Sequence, residues 1–166
     1  MKKYVKNIVL GLIIIFIGGQ FIRPAKNLSG ENANDISKTY SVPDSVKMIL
    51  DVACNDCHSN TTGYPWYAEI QPIGWFLNNH IQEGKHYLNF SEFSSYKIRR
   101  QYKRFNQIRE LVEKNEMPLS SYTLIHKDAI LNQHQKELLF SWANAAHDSI
   151  EVHNPADSLK SKKQNN

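Results

Sequence analysis

Cysteine is nearly absent from this 166-residue chain, which has only Cys54 and Cys57, both inside the stretch DVACNDCHSN. So few cysteines rule out a disulfide framework, and a bridge between these two would be strained and would close only a tiny loop. A Gly-rich loop that could cradle a phosphate is missing too. No stretch reads as a strand, no internal repeat occurs, and the carboxylates are scattered without a constellation for acid–base catalysis. Acidic residues are missing ahead of Glu31, where Lys2, Lys3, Lys6, Arg23 and Lys26 stand. Those five cations exceed the formal net charge of +4, so the remainder of the chain carries −1. A nucleic-acid binder concentrates positive charge on its folded domain; here no nucleic-acid partner is expected.

The start of the chain, MKKYVKNIVLGLIIIFIGGQFIRPAKN, is apolar between its lysines and Arg23. From Ile8 to Ile22 a helix rises about 22 Å, short of a hydrocarbon core of roughly 30 Å, so spanning would need local thinning and snorkelling by Lys6 and Arg23. A small-x-small cleavage pattern is lacking, as is a cysteine for lipid attachment, which favours a retained signal-anchor over a cleaved signal peptide. Lys2, Lys3 and Lys6 would keep the N-terminus in the cytoplasm. The expectation is a single-pass cytoplasmic-membrane protein with its domain on the periplasmic side.

Beyond the anchor, residues 24–40 read as a polar tether. Pro43 and Asp44 suit a helix start, and Val46, Ile49, Leu50 and Ala53 recur at helical spacing. A short helix is expected from Pro72 with Ile73, Phe76, Leu77 and Ile81 on one side, followed by a turn at EGKHYLNFSEF with Ser91 or Ser94 as cap. The longest helix should run over 95–115, with Ile98, Tyr102, Phe105, Ile108 and Val112 as its stripe, stopped by Pro118. A last helix is expected from Asn132 to about His147, opened by a capping box of Asn132 and Gln135, with Leu138, Leu139, Trp142, Ala145 and Ala146 inward. The fold class is therefore all-α, with an N-terminal transmembrane helix in front.

Three chemistries compete for the cysteines. A thioredoxin-like redox pair needs a preceding strand and thiols at a helix start; this motif instead follows an amphipathic helix. Zinc would need two of His58, His80, His86, His126 and His134 to complete Cys54 and Cys57, without the usual finger spacing. The pattern Cys54-x-x-Cys57-His58 is a c-type haem attachment signature. Each cysteine can form a thioether to one vinyl group, and His58 can ligate the iron as proximal ligand. A large flat cofactor would also complete the core of a small domain. For the other face of the iron, Met117-Pro118 in EKNEMPLSSY is the leading candidate, and a methionine ligand raises the reduction potential. His80, His86 and His126 are its competitors, and an open or water-bound iron is the remaining alternative.

Four stretches, ACNDCHSN, YPWYAEIQPIGWFL, HIQEGKHYLNFSEF and EMPLSSYTLIHKDAILNQHQKELLFSWA, occur in this order. With them the region from about Tyr40 to Ala146 resembles the bacterial haem-binding domain family of small, mostly membrane-tethered or exported c-type cytochrome-like proteins, frequent in Bacteroidetes. The resemblance implies a small cytochrome c-like helical domain around one covalent haem c, held at Cys54 and Cys57, with His58 proximal and Met117 distal. The expected organisation is a cytoplasmic n-region at 1–6, a signal-anchor transmembrane helix at 7–23, the tether at 24–40, a c-type haem-binding domain at 41–148 and a disordered tail at 149–166.

Trp66, Tyr67, Trp75 and Phe76 can wall a haem pocket or fill a small core. The basic run KIRRQYKR reads first as a solvated helix face, and otherwise as a docking surface for an acidic redox partner or a partner for haem propionates. The expected function is electron transfer by a membrane-tethered monohaem cytochrome, not an enzyme. The expected partners are haem, a redox protein, the cytoplasmic membrane and the cytochrome c maturation machinery. The alternative is a peroxidase-like enzyme or a gas or redox sensor with a displaceable sixth ligand.

Overall fold

The computed structural model describes residues 2–159, and these are helical apart from their loops. Helix α1 spans Lys2–Gly19. After a 3₁₀ turn at Ile36–Lys38 come α2 (Asp44–Ala53) and the single-turn α3 (Asn55–His58). Helix α4 covers Ile73–Tyr87 and α5 covers Ile98–Glu113, separated by a 3₁₀ segment at Phe90–Ser95. The short α6 (Ser120–Thr123), the long α7 (Gln133–His153) and the short α8 (Ala156–Leu159) complete the chain. Among the described residues the only β-pairing is an isolated antiparallel bridge between Leu28 and Thr61.

The membrane expectation is corrected. No described helix is long and apolar enough to cross a membrane. Helix α1 spends its first turns on Lys2, Lys3 and Lys6, and the part after them, 7–19, rises only about 20 Å against a hydrocarbon core of roughly 30 Å. The expected transmembrane segment at 7–23 also divides at its end, because the chain turns after Gly19 and is clasped by the domain. The Gln20 side chain donates to Gln71 O and accepts from Gln71 N, and Trp75 Nε1 donates to Ile22 O at 2.7 Å. The signal-anchor, the single-pass cytoplasmic-membrane placement, the periplasmic position and the membrane-tethered function fall with the span. The membrane falls as a partner with it, and the redox-protein and maturation-machinery partners expected from the haem motif gain no support from this fold.

The stretch 24–40, read as a tether, packs on the domain. Asn27 is buried and donates to Ser59 O and Thr62 Oγ1, while its backbone N–H donates to Tyr64 Oη. Asp35 caps the 3₁₀ turn through Ser37 N, which sets Ile36 into the core. These bonds satisfy polar groups that a free linker would leave to water.

The core forms where α5 packs along α7 and α2 packs on α7. Val46, Ile49, Leu50 and Ala53 of α2 are buried as their spacing requires, and so are Phe105, Ile108 and Val112 of α5. Phe105 lies at the centre, with ring centroids 4.9 Å from Tyr40, 5.0 Å from Phe93 and 5.5 Å from Trp142. Each such pair adds about 0.5–1.5 kcal/mol beyond simple area burial. Helix α7 opens with the capping box of Asn132 and Gln135 and runs past His147 to His153, because Ile150 still finds the core. Leu159 of α8 is buried as well, so a disordered tail does not begin at 149; residues 160–166 lie outside the described residues.

Candidate functional site

Helix α2 delivers the cysteines. Cys54 caps it, with its N–H donating to Leu50 O at 3.0 Å, and the chain then kinks into α3, where Cys57 N and His58 N both donate to Cys54 O. Asp56 ties this turn down. Its Oδ1 accepts from Gly63 N at 2.8 Å, its Oδ2 accepts from Tyr122 Oη at 2.7 Å, and its carbonyl accepts from Thr62 Oγ1 at 2.6 Å. Burial and the carboxylate raise the Tyr122 phenol well above its ordinary value, so it stays a donor.

The His58 ring is held from behind. Its Nδ1 donates to two backbone carbonyls, Leu88 O at 2.9 Å and Gly84 O at 3.1 Å. Carbonyls only accept, so the proton sits on Nδ1 and Nε2 keeps its lone pair, the arrangement a metal-ligating histidine requires. Burial lowers the imidazole's pKa, against the two carbonyl bonds that raise it, and favours the neutral ring. Close approach of α4 makes this possible. A Cβ on Gly84 would lie 2.6 Å from Cys57 O, so only glycine lets α4 reach the cysteine turn. Helix α4 thus runs on to Tyr87, through the turn expected at EGKHY. Sequence reasoning missed Gly84 and Leu88, since they act through backbone carbonyls that leave no side-chain signal.

Cys54, Cys57, His58 and Met117 all line one cavity of about 470 Å³. Its walls are mostly apolar, with Leu50 and Ala53 from α2, Ile108 and Leu111 from α5 and Leu139 from α7. The size falls in the range of about 300–1,000 Å³ typical of cofactor sites. Met117 arrives by a Schellman turn at the end of α5: Glu116 N donates to Leu111 O, Asn115 N donates to Val112 O, and Asn115 takes φ +57°. Met117 N also donates to Leu111 O, and its side chain packs against the core. Of the competing histidines, His80 lines the cavity, with its Nδ1 bonded to Phe76 O and its ring on Phe76. His86 and His126 do not line it; His126 is stacked on Tyr122 and bonded to Tyr67 Oη.

The thiols are half-buried against this apolar wall, and burial pushes Cys54 up to about 12 and Cys57 up to about 11. A redox dithiol needs the opposite shift, toward thiolate. Four zinc ligands do not converge either. Among the described residues the only metal-like grouping of His, Cys, Asp and Glu atoms is His147, Asp148 and Glu151 on α7, with neither cysteine in it. Of Trp66, Tyr67, Trp75 and Phe76, read as pocket walls or core fillers, none lines the cavity, and Trp66, Trp75 and Phe76 are exposed.

A haem fits the residues present. The cavity offers an unprotonated imidazole nitrogen, a thioether and apolar walls. It also holds Arg104, whose Nε is buried without a hydrogen-bond partner. The model of a family described as "Haem-binding domain" matches residues 14–145. Comparison with curated proteins and with solved structures finds no match.

Proposed function

The chain belongs to the haem-binding domain family, and from that premise we propose that it carries one haem c attached through Cys54 and Cys57, that His58 and Met117 would supply the protein ligands to its iron, and that it acts as an electron carrier, not an enzyme. The observation that carries this reading is the double carbonyl lock on His58 Nδ1, which leaves Nε2 unprotonated on a residue that lines the same cavity as both cysteines and Met117. Each attachment adds a cysteine S–H across a vinyl C=C, sulfur to one carbon and hydrogen to the other, so no oxidant or reductant is consumed. Bound haem supplies a one-electron ferric/ferrous couple. The chain's part is to hold the imidazole and thioether in place and to keep water off the iron with Leu50, Ile108, Leu111 and Leu139. Met117 is favoured over His80 because it packs against the core, whereas His80 leans on Phe76, which is 56% exposed.

An optical spectrum of the full chain, produced in cells that attach haem to CxxCH motifs, tests the proposal. A low-spin ferric form with the far-red methionine-to-iron band, lost in Met117→Ala and kept in His80→Ala, is expected, with no change when CO meets the reduced form. A high-spin spectrum or rapid CO binding would overturn the electron-carrier reading.

A further inference from the structure

Arg104 is the cation on the cavity wall whose position the proposed ligand set leaves unexplained. Its Nη1 donates to Gln107 Oε1, one turn on along α5, and its guanidinium lies 6.0 Å from the Tyr87 ring centroid. Its Nε is one of only two buried side-chain polar atoms without a partner among the described residues, the other being Asn55 Oδ1. Among the described residues no ion pair satisfies it: of the two acids that line the cavity, Glu83 accepts from Asn79 Nδ2, and Asp56 accepts from Gly63 N and Tyr122 Oη. A buried N–H with no acceptor is costly, and natural structures rarely leave one unless a ligand completes it. The neighbouring charge sharpens the case. Arg100 is fixed by its bond to His86 O and by stacking on Tyr96, and it and burial both depress the Arg104 guanidinium below its ordinary value. A cation with an unpartnered buried donor on the wall of an apolar cavity, and a second cation acting on it from outside that wall, calls for an anion.

We propose that Arg104, positioned by Gln107, is the carboxylate anchor of this cavity and takes a propionate of the bound porphyrin. The inference rests on the haem reading above and adds the orientation of the group. In haem the two propionates occupy the edge opposite the vinyl groups. With the vinyl edge at Cys54 and Cys57, the carboxylate edge faces away from α3, which packs on α2, α4 and 90–95, while Arg104 stands on α5, which packs on α7 and α8. The guanidinium fork suits a carboxylate better than an ammonium would.

The test uses the full chain with Cys54→Ala and Cys57→Ala, titrated with protohaem or with protohaem dimethyl ester, whose propionates are blocked. Binding is read by the absorption shift of histidine ligation, and His58→Ala serves as control. A chain carrying Arg104 should prefer the free acid about tenfold or more, the strength of one charge-assisted bond. Arg104→Gln should erase the preference and Arg104→Lys should restore it only in part, with helix content by circular dichroism unchanged. Equal affinity for acid and ester, with normal histidine ligation, would overturn the anchor and leave the haem site standing. Failure of both porphyrins to give the His58-dependent shift would overturn the haem reading and the anchor together.

Discussion

Replacing Gly84 with alanine tests whether the contact between α4 and the cysteine turn organises the site. The added Cβ would lie 2.6 Å from Cys57 O and 3.2 Å from Cys57 C and Cβ. Two of those three atoms are backbone, so no rotamer change relieves the overlap and α4 must move outward. Overpacking of this kind costs about 2 kcal/mol. The movement also draws Gly84 O and Leu88 O away from His58 Nδ1, at a further cost of about 1 kcal/mol. Against this, alanine gains about 1 kcal/mol of helix propensity over glycine. The net loss is about 2 kcal/mol, or about 4–8 °C in melting temperature for a chain of this size. Thermal unfolding followed by far-UV circular dichroism reads the shift. Gly18→Ala is the matched control, because nothing lies within 4 Å of its new Cβ, and it should be neutral or slightly stabilising. If Gly84→Ala melts at or above the parent temperature, as Gly18→Ala does, the close approach is not the constraint described here.

Two further outcomes follow from the same geometry. In the haem-free chain at pH 8, iodoacetamide should label Cys57 about a hundredfold and Cys54 about a thousandfold more slowly than in urea, because thiols raised to about 11 and about 12 carry little thiolate; labelling as fast as in urea would contradict the buried-thiol geometry. Asn132→Ala removes the acceptor for Gln135 N and should lower stability by about 1 kcal/mol in a urea titration, and an unchanged midpoint would mean the capping box contributes nothing.

What was legible in the sequence was local. The stripe of Phe105, Ile108 and Val112, the α2 face and the Asn132–Gln135 box depend on neighbours within a turn or two, and each is found as spaced. Of the expected α4 stripe Ile81 is buried as spaced, but Ile73 and Phe76 are more exposed than periodicity implies, and the helix turns Gly74 inward as well. Contacts between distant segments were not legible. Asn27 reaching Ser59 and Thr62, Gln20 pairing with Gln71 and Gly84 admitting Cys57 O join residues whose spacing carries no pattern. The CxxCH motif singled out Cys54, Cys57 and His58, but not the carbonyls that hold the imidazole or the orphaned Arg104 Nε. The apolar run at 7–23 misled for a simple reason: Lys2, Lys3 and Lys6 take up the start of α1, the helix ends at Gly19, and the far end of the run turns onto the domain.

The most direct test of the central claim is acid–acetone extraction of the purified full chain, followed by intact mass spectrometry. One haem per chain should be retained, and none when Cys54 and Cys57 are both alanine. A chain that gives up all of its haem to the solvent and returns to its unmodified mass would contradict covalent attachment at these two cysteines.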